Sequence, residues 1–289
     1  MVKILLAGLA GDSGCQVAML GLHKTLLDIL SANELVFAHT LMDAKQIPDG
    51  VDVAIVEGGV RDDHEEHLVK EIREKSTVLI AIGSCACFGG IPGLANLMNG
   101  VDLLDMVYAD HKGTTKGTVP RHVVVAPHQK GLHSYVKVDY TIPGCPPEVT
   151  DIADVLTTLL KGEVPQLSRT QVCDKCPRER LGEYVTELKR IHEEIPDPDR
   201  CLLEQGYLCL GPATRGGCGA PCPQAGNICE GCRGPVEGVS EQGLAMMDAL
   251  TALSSQVSDE FTLERYTGMF HRFTYADSPI SRLRRRFKK

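Results

Sequence analysis

A parallel α/β sheet with helices on both faces is the fold class that the first half of this sequence predicts, and three observations carry it. Short apolar runs alternate with segments of helical periodicity. Turns rich in glycine or acidic residues stop the runs. Three cysteines, Cys15, Cys85 and Cys145, fall just beyond the ends of such runs.

The elements follow in order. Residues 2–9 form an apolar run that ends at Gly11-Asp12-Ser13-Gly14. Residues 16–30 then place Met19, Leu22, Leu26, Leu27 and Leu30 at helical spacing. Residues 35–41 and 51–56 read as strands, the second stopped by Glu57-Gly58-Gly59. A charged amphipathic helix over 62–75 and a buried strand over 77–82 come next, with later strands expected at 123–126 and 136–142. Residues 147–160 close the pattern as a helix, with Pro147 and Glu148 suited to its first turn. Strands alternating with helices of this length imply βαβ units. In such sheets the carboxyl ends of the strands share one edge, where ligands bind. Cys15, Cys85 and Cys145, distant in sequence, are therefore expected to converge there, with Gly83, Gly89, Gly90 and Gly144 leaving room for a bulky group.

A boundary near 161–169 separates a domain of residues 1–165 from one of residues 166–289. The second is irregular, and Pro, Gly and Cys dominate it from 201 to 235 before helical periodicity returns over 239–254. Such a composition predicts little apolar core and an organisation that depends on inorganic crosslinks. The chain ends in a basic tail, Arg282-Leu283-Arg284-Arg285-Arg286-Phe287-Lys288-Lys289, expected to be solvated.

The chain holds twelve cysteines, eight of them within 173–232, spaced C-x2-C at Cys173 and Cys176, C-x7-C at Cys201 and Cys209, C-x3-C at Cys218 and Cys222, and C-x2-C at Cys229 and Cys232. Eight thiolates suffice for two four-cysteine sites. Disulfides require an oxidising compartment, and the N-terminus shows neither a basic n-region nor a cleavage site, so a cytoplasmic location is expected. Structural zinc uses C-x2-C hooks but favours more regular spacing. Iron–sulfur clusters accept irregular spacing with Pro beside the ligands, and Cys-Pro occurs at Cys145, Cys176 and Cys222. The spacing favours iron–sulfur over zinc, and both over disulfides.

Composition narrows the partners. Net charge is −8, Trp is absent and aromatics make up 4% of 289 residues, so neither a basic face nor a stacking platform for nucleic acid is expected. No apolar run is long enough to span a membrane. P-loop, dinucleotide G-x-G-x-x-G and nucleophile-elbow patterns are missing.

Several motifs, taken together and in order, resemble one family. They are Glu57-Gly58-Gly59, Gly83-Ser84-Cys85-Ala86, Ile142-Pro143-Gly144-Cys145-Pro146-Pro147, Cys173-x2-Cys176-Pro177-Arg178, Cys201 to Pro212 with Cys209 and Gly211, and Cys218 to Cys232. They resemble the small subunit of nickel–iron hydrogenases, above all the cytoplasmic F420-non-reducing (methyl-viologen-reducing) type. The resemblance spans nearly the whole chain. It implies a flavodoxin-like domain followed by an irregular iron–sulfur cluster domain, an oxidoreductase acting on H2, and no catalytic residue in this chain, because the nickel–iron site belongs to a large subunit. It also implies three [4Fe-4S] clusters: a proximal one on Cys15, Cys85 and Cys145, a medial one on Cys218, Cys222, Cys229 and Cys232, and a distal one on Cys173, Cys176, Cys201 and Cys209. Electrons would leave toward an iron–sulfur or flavin protein such as heterodisulfide reductase.

One departure stands out. Where the family has C-x2-C before the first helix, this chain has Asp12-Ser13-Gly14-Cys15. The fourth proximal ligand is either Asp12, favoured by position, or Cys87, favoured by thiolate chemistry. Other readings are a stand-alone iron–sulfur carrier and a zinc scaffold.

Overall fold

The computed structural model describes residues 1–98, 103–109, 112–113, 115–121, 128–253 and 268–280. The chain divides into two compact units. One is Met1–Val164 with the segment that starts at Tyr275, and the other is Pro165–Thr274.

In the first unit, β1 (Lys3–Gly8), β2 (Glu34–Ala38), β3 (Val51–Glu57), β4 (Ser76–Ile82) and β5 (Tyr140–Ile142) form a parallel sheet in the order β2-β1-β3-β4-β5. The strands read as continuous apolar runs because both faces are covered. On one face Leu5, Ala7, Val56 and Leu79 share a buried cluster with Val69 and Ile72 of α3 (Asp63–Lys75). On the other, Ile4, Leu6, Val53 and Ile55 meet Met19 of α1 (Gly14–Leu20), Ile29 of α2 (Lys24–Ala32) and Leu156 of α5 (Val149–Leu160) around an apolar cavity of about 280 Å³. A slip of one residue would exchange these two sets, so register is tightly specified. It pairs Gly8 with Glu57, Glu57 with Ile82 and Ile82 with Ile142. The ends of β1, β3, β4 and β5 therefore lie level along one edge.

The helices carry local reasons for their bounds. In α3, Asp62 accepts the Glu65 amide and Glu65 reaches back to the Asp62 amide. Acids fill its first turn and Arg73 and Lys75 its last, matching the helix dipole.

Three expectations are corrected. The single helix expected over 16–30 is two helices, broken at Gly21-Leu22-His23. There the Gly21 and His23 amides bond back to Ala18 and Leu20, and His23 takes φ 48. A Cβ on Gly21 would lie 2.9 Å from Val149 Cγ2, so close packing against the start of α5 selects glycine and the turn. The strand expected over 136–142 shrinks to Tyr140–Ile142. The Asp139 carboxylate takes the Leu79 amide (2.9 Å) and the Arg73 guanidinium (2.6 Å), so strand pairing starts only beyond it. The expected strand at 123–126 and the basic tail at 282–289 lie outside the described residues.

The third correction concerns the cysteine-rich unit, for which composition predicts little apolar core. Val172, Leu203, Tyr207, Leu210, Met246 and Phe270 belong to one buried cluster there, in which Cys209 and Cys229 take part. Its densest stretch is the turns around 202–210, and Met246 and Leu250 come from α7 (Gln242–Leu253), within the helical pattern of 239–254. Periodicity could not show this core, because turns have no repeating face.

Candidate iron–sulfur sites

The level strand ends of the first unit gather Asp12, Cys15, Glu57, Cys85 and Cys145. Cys15 opens α1 after a turn in which the Gly14 amide donates to Asp12 Oδ1 (2.9 Å) and Ser13 takes the left-handed conformation (φ 63), unusual for a residue with a side chain. Glu57, 2% exposed, ends β3, and its Oε2 accepts the Gln16 amide at 2.9 Å. Cys85 lies in α4 (Gly83–Phe88), which starts directly from β4. The Ser84 amide donates to Gly144 O at 2.8 Å, tying that helix to the turn bearing Cys145.

Electrostatics reports the same grouping. Burial, then the charges of Glu57, Cys85, Cys145 and Asp12, push the Cys15 thiol far up. Cys85 is pushed up to about 12, by burial and then by Cys145, Asp12 and Glu57. Cys145 is raised by burial and Asp12. Burial likewise raises Glu57, against the Gln16 amide that stabilises its carboxylate. A site that so disfavours negative charge holds thiolates only when a metal takes the place of their protons.

Glycine keeps this space open. Gly83 has φ 85, and a Cβ on it would run into Cys15 Sγ; a Cβ on Gly90 would stand 2.6 Å from Cys85 Sγ. Cys87 is placed differently. Two residues along a helix is a rotation of about 200°, and the Cys87 thiol points back to Ala81 O (3.5 Å) within the apolar cluster of the sheet.

In the second unit, Cys173, Cys176, Cys201 and Cys209 line one cavity of about 70 Å³. Cys173 and Cys176 bracket a tight turn closed by Cys176 N–H to Cys173 O (3.2 Å), and the Cys201 amide is held by Glu179 O at 2.7 Å. Burial, then the charge of Cys209, pushes Cys173 up to about 12, and burial raises Cys209 to about 11 despite amide donors from Cys229 and Gly211. A Cβ on Gly211 would lie 2.9 Å from Cys173 Sγ.

The remaining four cysteines are Cys218, Cys222, Cys229 and Cys232. Cys229 is buried, and its thiol is raised by burial, then by Cys209 and more weakly by Cys232. Cys222 is exposed in α6 (Pro221–Gln224), with its carbonyl accepting the Asn227 amide at 2.8 Å, and Cys218 is half-buried before it. Among the described residues, no three Cys, His, Asp or Glu side chains converge on the position of one metal ion. A cubane instead distributes its four thiolates over four irons. Open cradles and grouped thiols suit that group.

Arg178 and Thr214 had no assigned role in the sequence. Arg178 lines the 70 Å³ cavity, and the fully buried Thr214, whose hydroxyl donates to Leu210 O at 2.6 Å, lowers the Cys229 thiol against the burial that raises it. The signal for Arg178 was its place directly after Cys176-Pro177.

Comparison with known proteins now defines the class. A chain of the Actinobacterial-type NiFe-hydrogenase from Ralstonia eutropha H16 matches 96% of this chain and 92% of its own length with TM-score 0.56 at 18% identity. A chain of an NAD+-reducing [NiFe]-hydrogenase in the H2-reduced state matches 57% of this chain and 94% of its own, with TM-score 0.53 and 31% identity. The fold is that of nickel–iron hydrogenase small subunits. Residues 13–159 match the family described as NADH ubiquinone oxidoreductase, 20 Kd subunit. A subunit of the vhu F420-non-reducing hydrogenase of Methanocaldococcus jannaschii is 44% identical over 283 residues, 97% of each chain. The corresponding subunit of the F420-non-reducing hydrogenase of Methanothermobacter marburgensis is 37% identical over 293 residues, 94% of each chain. This chain belongs to the family of these F420-non-reducing hydrogenase subunits.

Proposed function

We propose that this chain is the electron-transferring small subunit of a cytoplasmic nickel–iron hydrogenase and holds three [4Fe-4S] clusters. Asp12, Cys15, Cys85 and Cys145 would hold the proximal cluster. Cys218, Cys222, Cys229 and Cys232 would hold the medial one, and Cys173, Cys176, Cys201 and Cys209 the distal one. When bound, the clusters supply one-electron carriers between the large subunit's nickel–iron site and an acceptor such as heterodisulfide reductase.

The observation that carries this reading is the gathering of Cys15, Cys85, Cys145 and Asp12 at the level strand ends. Of these thiols Cys145 is exposed, Cys85 half-buried and Cys15 buried, so a large subunit covering the edge would exclude water from the exposed side of the site. The protein's own contribution is to position thiols, to hold Asp12 through the Gly14 amide, and to keep the space free of side chains at Gly83 and Gly90.

Anaerobic co-purification with the large subunit tests the reading. About twelve iron atoms per small subunit, four for each cubane, with matching sulfide and H2-dependent bleaching of the cluster absorbance are expected. Stoichiometric zinc without sulfide would end it, and full iron in a chain that never recruits a large subunit would leave a stand-alone carrier.

A further inference from the structure

Arg178 is buried, with 9% of its surface exposed, yet among the described residues its guanidinium bonds to backbone carbonyls alone. Nε donates to Pro223 O at 2.9 Å, and Nη1 donates to Asp197 O at 2.7 Å and to Arg200 O at 3.1 Å. All three acceptors are neutral, and the ion pairs of this unit among the described residues run between other side chains. A buried cation without a counter-charge is strongly unfavourable. Arg178 lines the same cavity as Cys173, Cys176, Cys201 and Cys209. Glu204 also lines it, but its two oxygens accept the Leu181 and Gly182 amides at 2.8 and 3.1 Å. Arg180 lines it from the exposed side. The cavity thus sets two arginines and one glutamate, the glutamate engaged by backbone amides, around four thiols.

A cubane carrying four thiolates is an anion, and reduction adds one more negative charge. A fixed cation in a poorly solvated wall stabilises the reduced form more than the oxidised form. Arg178 also joins two loops, since Arg200 precedes Cys201 and Pro223 follows Cys222.

We infer that Arg178 is a positioning residue that supplies the fixed counter-charge for the cluster on Cys173, Cys176, Cys201 and Cys209 and raises its midpoint potential. This rests on the ligand assignment proposed above. Replacing Arg178 by Gln removes the charge and keeps a hydrogen-bond donor; replacing it by Lys keeps the charge and loses the fork.

The experiment is a redox titration of the assembled complex followed by electron paramagnetic resonance, with iron counted in every sample. Arg178→Gln is expected to shift the reduction equilibrium of this cluster at least tenfold toward the oxidised form, about 59 mV for one electron, while the cluster at Cys15 is unmoved. Arg178→Lys is expected to stay at the wild-type potential. An unmoved potential in Arg178→Gln with full iron would overturn the inference and leave Arg178 as a clamp on carbonyls. Should Arg178→Gln lose iron, Arg178→Lys decides. Iron and potential retained support the charge, whereas iron loss or an equal shift in the Lys variant overturns it. Cys201→Ser in the same complex separates the two levels: iron content unchanged by that substitution would remove the ligand assignment itself.

Discussion

The amide N–H of Cys229 donates to Sγ of Cys209 across 3.2 Å, and the Leu210 amide returns a bond to Cys229 O at 2.8 Å. Both cysteines are buried in the apolar cluster of the second unit. In the proposed assignment the first serves the medial cluster and the second the distal one. A sulfur that accepts an amide hydrogen bond carries less charge, so this contact both links the two ligand sets and tunes one of them.

The apolar cluster also changes what iron removal should do. Amides of Leu203 and Leu210, within that cluster, are expected to keep hydrogen-exchange protection after chelation. The turns bearing Cys173, Cys176, Cys218 and Cys222 are expected to lose theirs. Hydrogen exchange followed by mass spectrometry reads both. Uniform loss across residues 165–253 would show that the metal, rather than the apolar cluster, holds the unit together.

Asp12 and Cys87 are expected to behave oppositely. Asp12 lies among Cys15, Cys85 and Cys145, while Cys87 faces Ala81 and the sheet core. Asp12→Cys should retain a four-iron proximal cluster with a changed potential, and Asp12→Ala should loosen one iron. Cys87→Ser should leave iron and spectrum unchanged and cost about 1–2 kcal/mol of stability through the buried hydroxyl. Iron lost from Cys87→Ser, with Asp12→Ala silent, would transfer the ligand role to Cys87.

Gly83→Ala tests the cradle. Its Cβ would collide with Cys15 Sγ at a residue with φ 85, so both space and backbone oppose it. The variant is expected to fold with the proximal cluster absent or incomplete, seen as a loss of up to about four irons. Gly162→Ala is the control: it shares a positive φ, 78, but nothing lies near its Cβ. Equal iron in both variants would show that backbone strain, not the sulfur contact, selects glycine at 83.

Acid stability should depend on Asp139. Burial pushes its carboxyl up, but the Leu79 amide and the Arg73 guanidinium outweigh it and hold the pKa below the usual carboxylate range. A group lowered on folding contributes stability above its unfolded pKa, about 3.9 for Asp, and loses it as pH falls through the lower folded value. Asp139→Asn should cost about 2 kcal/mol at neutral pH. The difference should persist down to about pH 4 and narrow only below it. Urea unfolding followed by circular dichroism at several pH values measures this; a gap that closes between pH 7 and 5 would assign it to another group.

Local pattern determined much of this protein by itself. The alternation of apolar runs with helical segments specified β1, β3, α3, β4 and α5, because each needs only its own residues to declare a buried face. The cysteine spacings favoured iron–sulfur over zinc, and the resemblance of the motifs to one family carried the expected ligand sets, because those residues are named outright in the sequence. Tertiary structure decided what depends on distant partners. Gly21 breaks a helix because Val149 packs on it, and Asp139 delays β5 because Arg73 and Leu79 claim its carboxylate. Cys85 and Cys87 part company because α4 begins immediately at Gly83 and turns them to opposite sides. Arg178 acquires meaning only when Pro223, Asp197 and Arg200 close around it beside four thiols. Periodicity is a property of neighbours along the chain, whereas burial of a charge and the gathering of thiols are set by ladder register and loop closure between residues tens of positions apart.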